Sequence, residues 1–218
     1  AFDRLGHLAP IAVPGGDAAA REPWRMAAAA FHAIGRADLI AARFADEPLA
    51  DGVAKILAAG LAPRTSSAGR WFDAAAGVLG VSRRMRFEAE AAMRLEARAR
   101  RPIALDGGWR IDDGVLDLRP LFARLAEEAD AAIGADLFHG TLAAGLADLA
   151  GRAAKETGLR TVALGGGCLL NRVFSSALAA ALGDRGLTVL TARDLPPNHG
   201  GLSFGQAVIA GAEPSGKD

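Results

Sequence analysis

The chain has 218 residues, 51% of them hydrophobic, and its 25 basic residues balance 25 acidic ones. The hydrophobic fraction excludes general disorder, and the zero net charge argues against sequence-independent nucleic-acid binding, which requires an excess of lysine and arginine. The single cysteine, Cys168, excludes a disulfide framework and a cysteine-rich zinc site, and no apolar run approaches the ~18 residues of a membrane span, so we expect a cytoplasmic protein.

The first part of the chain, residues 1–104, is predicted to be mostly helical. It begins at Ala1 without an initiator methionine or a signal sequence, so we expect an internal cut in a longer protein. Apolar residues at helical spacing, with glycine or proline near the ends, predict the helices of this part. They are 24–34, 47–59, 70–79 and 88–101.

The second part, residues 105–218, is predicted to be an α/β domain. Alternating apolar and polar residues separated by glycine turns predict a β-meander at its start. The strands of the meander are 102–105, 109–111 and 115–118. The elements that follow are helices 121–132 and 137–157, strand 161–164, helix 170–183, strand 187–190 and helix 202–210. Short connections between them indicate parallel strands with crossover helices, and the meander makes the sheet mixed.

Three consecutive glycines, Gly165, Gly166 and Gly167, lie between a predicted strand and a predicted helix. Glycine lets the backbone approach a ligand closely, and free N–H groups at the start of a helix favour an anion. The pattern fits nucleotide binding, and it fits equally a tight turn that binds nothing. Asn171 at the start of the helix has the same two interpretations, a ligand contact or a backbone cap.

A second loop, 196–201, carries His199 after the next predicted strand. Ligands of parallel sheets bind beyond the carboxyl ends of the strands. We therefore expect this loop to converge with the glycine loop, and His199 is a candidate metal ligand or acid–base group. A histidine on an ordinary surface loop is the alternative interpretation.

Two further residues carry candidate chemistry. Asp73 follows a Ser-Gly turn, where a carboxylate can accept hydrogen bonds from two ribose hydroxyls. An early-helix aspartate favoured by the helix dipole is the alternative. Cys168 lies near a predicted helix start, which lowers a thiol pKa. Because no histidine is adjacent in sequence, a packed thiol is favoured over a nucleophile.

Five motifs occur in an order that resembles the C-terminal region of the HypF-type carbamoyltransferases, which mature NiFe hydrogenases. They are Pro14-Gly-Gly-Asp with Arg21-Glu-Pro-Trp-Arg25, Thr65-Ser-Ser-Ala-Gly-Arg-Trp-Phe-Asp73, Phe138-His-Gly-Thr-Leu-Ala143, Gly165-Gly-Gly-Cys-Leu-Leu-Asn-Arg172 and Pro196-Pro-Asn-His-Gly-Gly-Leu-Ser-Phe-Gly-Gln206. The resemblance covers essentially the whole chain, and five ordered motifs are far more specific than a single glycine loop.

The resemblance implies the second lobe of an actin-like ATPase with an RNase H-like fold, preceded by a helical insert. It implies an ATP-dependent carbamoyltransferase that uses carbamoyl phosphate, passes through carbamoyl-adenylate and carbamoylates the C-terminal cysteine of a partner, HypE. By motif position, Asp73 resembles the ribose-contacting carboxylate. The glycine loop 165–167 and Asn171 resemble the nucleotide-contacting loop.

The metal position departs from the family pattern. His199 stands where the family usually places a metal-binding aspartate, in Asn-Asp-Gly-Gly. A neutral imidazole ligates divalent iron or zinc, but it brings no negative charge. The family's histidine cluster, its first lobe and its other domains precede this segment and are not in this sequence. Since this fold holds a nucleotide between two lobes, we expect the chain alone to be inactive and to bind ATP weakly at best.

Three alternative functions remain beside this one. A small-molecule O-carbamoyltransferase of the same superfamily is the first, and a tRNA-modifying relative, which the first two motifs disfavour, is the second. A non-catalytic interaction module, which keeps its glycine loops only for folding, is the third. A dinucleotide-binding oxidoreductase is disfavoured, because the glycine loop lacks the G-x-G-x-x-G pattern.

Overall fold

The computed structural model describes residues 3–211. Its helices are α1 (Pro23–Ala33), α2 (Asp38–Arg43), α3 (Ala50–Ala58), α4 (Ala68–Val78), α5 (Glu90–Glu96), α6 (Arg119–Glu127), α7 (Ala131–Thr157), α8 (Arg172–Gly183) and α9 (Leu202–Gly211). Its strands are β1 (His7–Leu8), β2 (Ile11–Ala12), β3 (Arg64–Thr65), β4 (Arg110–Asp112), β5 (Val115–Asp117), β6 (Thr161–Leu164) and β7 (Thr188–Thr191). Within this range no helix has the length and apolar character needed to cross a membrane.

Two alanine-rich helices, α1 and α4, form the centre of the helical part and pack against each other. Helix α1 begins at Pro23, whose fixed φ suits a first helical turn and whose missing N–H has no partner to lose there. The alanines at 27–30 in α1 and at 74–76 in α4 are all buried. Such small side chains let the two helix backbones come close together.

Gly77 in α4 lies at this close approach. A Cβ added there would be 2.5 Å from the Pro23 carbonyl oxygen and 2.9 Å from the Ala27 Cβ. Because backbone atoms cannot move aside cheaply, we expect Gly77→Ala to lower the free energy of unfolding by about 1–3 kcal/mol. Gly52→Ala in α3 is the control, since nothing lies within 4 Å of its added Cβ. Its better helix propensity should raise stability by about 0.5–1 kcal/mol. Chemical denaturation measures both variants, and equal effects would contradict the close packing.

The predicted meander is correct for two of its three strands. Strands β4 and β5 form the antiparallel hairpin, with Asp112 opposite Val115. The third strand is β1, from the start of the chain, which pairs with β5 in parallel. The resulting sheet, in the order β1-β5-β4, is mixed, as predicted, but its third member comes from elsewhere in the sequence.

Residues 102–105, the predicted first strand of the meander, cross helix α7 instead. The Ile103 N–H donates a hydrogen bond to the Asp136 carbonyl at 3.1 Å. Gly140 permits the crossing, because a Cβ on it would collide with the Ile103 backbone. This segment therefore satisfies its backbone on a helix and needs no strand partner.

Helix α7 begins at Ala131 rather than near residue 137. Asp130 sets this start, because its carboxylate accepts a hydrogen bond from the Ala132 N–H at 2.7 Å. The predicted helix 121–132 ends earlier, at Glu127, because Glu128 has an extended backbone with ψ 124°. The apolar periodicity runs through this break, which is why the pattern alone misplaced it.

Strands β6 and β7 pair in parallel, as predicted, with Thr161 opposite Thr188 and Leu164 opposite Thr191. Helix α8 connects them and packs against α7. The prediction that this pair and the meander share one sheet is wrong, because the pair is separate from the sheet β1-β5-β4. Strands β2 and β3 form a further antiparallel pair. Since β6 and β7 run in the same direction, the loops that follow them leave from one edge.

A buried aromatic cluster connects the helical part to the α/β part. Phe72 of α4 lies 4.9 Å from Phe138 of α7 and 5.6 Å from Phe174 of α8, measured between ring centroids. All three rings are buried in one continuous hydrophobic core. The boundary at residue 104, between a mostly helical segment and an α/β lobe, stays a prediction.

Candidate functional site

The two predicted loops converge at the carboxyl ends of β6 and β7. The Gly166 N–H donates a hydrogen bond to the Pro197 carbonyl at 2.6 Å. A Cβ added at Gly167 would lie 3.9 Å from the Asn198 Cβ. The expectation that these loops meet is therefore confirmed, at the edge where parallel sheets bind ligands.

The glycine loop is open to solvent. Gly166 has φ 112° and ψ 156°, a conformation that strains any residue with a Cβ. Nothing lies within 4 Å of a Cβ built at Gly165 or Gly166. The loop continues into a 3-10 turn, Gly167–Leu170, before α8 begins. Its backbone thus faces free space in which a ligand can lie against it.

Asp73 lies on α4, the helix that contacts this 3-10 turn. It is only 2% exposed, and the Arg70 Nη2 lies 2.9 Å from its Oδ2. The contact is not aligned as a hydrogen bond, since Oδ2 accepts none from the described residues. Burial raises the pKa of Asp73 to about 6, and the charge of Arg70 only partly opposes this. The carboxylate is therefore short of hydrogen-bond donors.

Cys168 lies beside the first turn of α4. A Cβ added at Gly69 would be 3.9 Å from the Cys168 Sγ. Burial raises the pKa of the thiol, and the nearby charge of Asp73 raises it further. The charge of Arg70 opposes the shift only partly, and Cys168 packs against the hydrophobic core, so its surroundings favour a packed thiol over an activated nucleophile.

Asn171 caps helix α8 and is only 7% exposed. Its Oδ1 accepts a hydrogen bond from the Phe174 N–H at 2.8 Å, and its Nδ2 lies 3.0 Å from the Nε2 of His139. The capping interpretation is confirmed, and a direct ligand contact stays a prediction. The role of His139 was missed, although its Phe-His-Gly-Thr motif was recognised.

His199 begins a 3-10 turn, His199–Gly201, and its side chain is exposed. Asn198 shapes this turn by accepting a hydrogen bond from the Gly200 N–H at 3.0 Å. Residues 3–211 contain no group of three His, Cys, Asp or Glu residues placed to share a metal ion. These residue types alone therefore do not complete a three-ligand metal site around His199 within the described residues.

Together these groups are suited to binding rather than to bond cleavage. The glycine loop offers backbone donors for an anion, and Arg70 adds a cation. Asp73 adds a carboxylate that can accept hydrogen bonds from hydroxyls. Asp73 lies on the helix that contacts the 3-10 turn, Asn171 ends that turn, and His199 lies on the adjoining loop.

Comparison with known proteins gives a family match over nearly the whole chain. The model of the carbamoyltransferase Kae1-like domain, second subdomain, matches residues 1–206. Carbamoyltransferase HypF2 of Cupriavidus necator is 48% identical, over 96% of this chain and 30% of its own length. Carbamoyltransferase HypF of Rhizobium leguminosarum bv. viciae is 49% identical, over 96% of this chain and 28% of its own length.

Solved structures agree with these matches. A crystal structure of full-length HypF in the phosphate- and nucleotide-bound form superposes with a TM-score of 0.83 and is 29% identical, over 99% of this chain and 30% of that chain. The crystal structure of T. kodakarensis HypF has a TM-score of 0.78 and is 26% identical, over 96% of this chain and 30% of that chain. The predicted fold class is therefore confirmed, and the chain spans about a third or less of these relatives.

Proposed function

The chain belongs to the HypF carbamoyltransferase family, and we propose that it forms the nucleotide-facing lobe of an ATP-dependent carbamoyltransferase of the cytoplasm. In this proposal the complete enzyme uses carbamoyl phosphate and ATP, and it forms carbamoyl-adenylate. It then transfers the carbamoyl group to the C-terminal cysteine of HypE, in NiFe-hydrogenase maturation.

The observation that carries the proposal is the convergence of two glycine-bearing loops at the ends of β6 and β7. The hydrogen bond from Gly166 to Pro197 holds them together. Glycine backbone with open space beside it accommodates phosphate groups, whose charge is matched by peptide N–H donors. A phosphate- and nucleotide-bound full-length HypF shares this fold.

The roles of the side chains follow from their placement. Asp73 would accept hydrogen bonds from the ribose hydroxyls, and Arg70 would neutralise negative charge beside it. Because Asp73 is only 2% exposed, this contact requires the groups that bury it to move when the nucleotide binds. His199 would provide one neutral imidazole ligand for divalent iron or zinc. Such a metal supplies Lewis-acid stabilisation of phosphate charge.

Helix α9 supports the proposal that further domains of the same polypeptide complete the site. None of its residues is buried, although it carries the large apolar side chains of Leu202, Phe204 and Ile209. An exposed apolar helix next to a candidate site is typical of a surface that another part of the protein covers. We propose that the remaining domains of a longer enzyme pack here and form the opposite wall of the nucleotide cleft.

Gly166→Val in the complete enzyme tests the proposed function. The added side chain strains the loop and projects into the open space beside it, so we expect ATP affinity to fall about tenfold or more. Gly158→Val is the matched control: Gly158 also has positive φ, nothing surrounds its Cβ position, and it ends α7 away from the loops. Calorimetric titration with ATP and carbamoyl transfer to a peptide with a C-terminal cysteine are the measurements.

Each result has a distinct meaning. Unchanged ATP affinity in Gly166→Val would reject the nucleotide lobe and favour an interaction module. Transfer to a small hydroxyl acceptor, without transfer to the cysteine peptide, would favour an O-carbamoyltransferase. We expect the 218-residue chain alone to show no transfer, and near-normal turnover by the isolated chain would contradict the need for further domains.

A further inference from the structure

A chain of hydrogen bonds lies buried beneath the glycine loop, between α7 and α8. The Nδ1 of His139 lies 2.7 Å from the Ala135 carbonyl oxygen, and its Nε2 lies 3.0 Å from the Nδ2 of Asn171. The Oδ1 of Asn171 accepts from the Phe174 N–H at 2.8 Å. His139 is fully buried and Asn171 nearly so.

The backbone N–H of Phe174 fixes which atom donates and which accepts in each of these hydrogen bonds. The Phe174 N–H can only donate, so the atom of Asn171 that it meets is the amide oxygen. The other end of that amide is therefore a donor, and the His139 Nε2 must accept from it. The proton of the imidazole then lies on Nδ1, where it donates to the Ala135 carbonyl.

The surroundings of His139 favour this neutral form. Its ring makes edge contacts with Phe72 at 5.6 Å and with Phe138 at 5.7 Å, between centroids. Burial lowers the pKa of His139, while the Ala135 carbonyl and the charges of Glu96 and Asp136 oppose the shift. A protonated imidazole would present an N–H donor to the Nδ2 donor of Asn171, and the hydrogen bond between them would be lost.

Asn171 is the point where the glycine loop enters the core. Its own N–H donates to the Cys168 carbonyl at 3.2 Å, which closes the 3-10 turn, and its carbonyl begins α8. The loop is thus anchored by β6 at one end, by Pro197 at Gly166, and by Asn171 at the other end. Of these anchors, only Asn171 is held by a buried side chain.

We propose that His139 is a positioning residue: it fixes the amide of Asn171, and through Asn171 it holds the glycine loop in its ligand-binding shape. The proposal rests on the proposed function, because it assigns His139 to the nucleotide-facing loop. It makes Asn171 an anchor of that loop, with its side chain directed into the core.

The test compares two substitutions of His139 with one matched control. His139→Leu removes the acceptor, whereas His139→Gln retains an oxygen that can accept from Asn171. Thr141→Val is the control, because Thr141 is also fully buried on α7 and its hydroxyl accepts a hydrogen bond from the Leu105 N–H at 2.9 Å. It removes a part-buried hydrogen bond of a buried α7 side chain without touching the loop.

The first measurement is amide hydrogen exchange at residues 166–174 in the 218-residue chain, at equal intervals below each variant's melting temperature. We expect exchange to be faster by roughly tenfold in His139→Leu, and within about threefold of the wild type in His139→Gln and Thr141→Val. Nitrogen NMR of the imidazole should show the proton on Nδ1. Equal acceleration in His139→Leu and Thr141→Val, or a proton on Nε2, would overturn the proposal.

A second variant serves if His139→Leu does not fold. Asn171→Ser keeps a hydroxyl oxygen that caps α8 but loses the donor to His139. We expect it to accelerate exchange in the loop by the same factor, and wild-type exchange rates would reject the proposal.

The second measurement is ATP affinity in the complete enzyme. We expect a loss of about tenfold in His139→Leu, recovery in His139→Gln, and no loss in Thr141→Val. If the wild-type enzyme binds no ATP, the proposed function fails, and the exchange rates still decide the role of His139. If ATP binds with equal affinity in all three variants, the positioning role is rejected while the proposed function stands.

Discussion

Asp73→Asn is expected to stabilise the fold at neutral pH and to weaken nucleotide binding in the complete enzyme. Burial raises the pKa of Asp73 from 3.8 to about 6. Above that pH the ionised carboxylate therefore destabilises the folded state. A shift of about two pKa units corresponds to about 3 kcal/mol. The asparagine amide has nearly the same shape and no charge, and it should recover most of that amount.

The stability gained in Asp73→Asn should depend on pH. Because the folded pKa lies above the unfolded one, the folded state binds the extra proton between them, and the destabilising effect of Asp73 disappears as the pH falls. The advantage of Asp73→Asn should therefore be full above roughly pH 7 and should vanish near pH 4. Taking the difference between variant and wild type cancels other titrating groups, including His139.

The exposed aspartate Asp46 provides the matched control. It pairs with Arg83 at the surface, with 70% of its side chain accessible, so Asp46→Asn should change stability little at any pH. Denaturant unfolding across the pH range measures both variants. A destabilised or pH-independent Asp73→Asn would contradict the burial of the charge.

Asp73→Asn should lower the affinity of the complete enzyme for ATP. Losing a charge-assisted acceptor for a hydroxyl corresponds to about 1.5–3 kcal/mol, or roughly 10- to 100-fold in affinity. Titration of the complete enzyme with ATP measures this loss. If Asp73→Asn gains stability and keeps its ATP affinity, the burial of the Asp73 charge is confirmed and the proposed ribose contact is wrong.

Local patterns predicted the elements near the candidate site well. Strand 161–164 has the predicted bounds, and helix 24–34 lies within one residue of Pro23–Ala33 at each end. In both cases glycine or proline marks the boundary, and the apolar residues recur at one period. The convergence of the glycine loop with loop 196–201 followed from the parallel direction of the strands alone.

Elements that depend on distant partners were not predicted. Strands β1, β2 and β3 have two residues each, too few for any period, and helix α2 has six. Strand β1 becomes a strand only because β5, more than a hundred residues later, offers it a free edge. Such pairing is a tertiary effect that no local window contains.

In the candidate site, too, local features were predicted and features that depend on distant residues were not. Glycine spacing located the glycine loop and the turn that carries His199, since backbone freedom is visible in sequence, and the role of His199 stays a prediction. His139 was not identified, because a single histidine in a helix has no pattern, and its partner Asn171 is 32 positions away. The burial of Asp73 was also not predicted, since it depends on the tertiary packing around α4.

Phe72→Ala is expected to have the largest effect on stability, and it tests whether residues 1–104 fold independently. The ring contacts Phe138, His139 and Phe174, so its removal leaves a cavity between α4, α7 and α8. Such a truncation costs about 3–5 kcal/mol. Phe87→Ala is the control, because Phe87 is 51% exposed and its loss leaves no enclosed cavity.

The loss of hydrogen-exchange protection along the chain distinguishes one cooperative unit from two separate units. If the chain is one cooperative unit, amides in α1 and in α8 should lose protection against hydrogen exchange by the same amount in Phe72→Ala. If residues 1–104 and 105–218 are separate units, each part should lose a different amount. Because Phe72 of α4 contacts Phe138 of α7 and Phe174 of α8, we expect equal losses. The helical part and the α/β part would then unfold together.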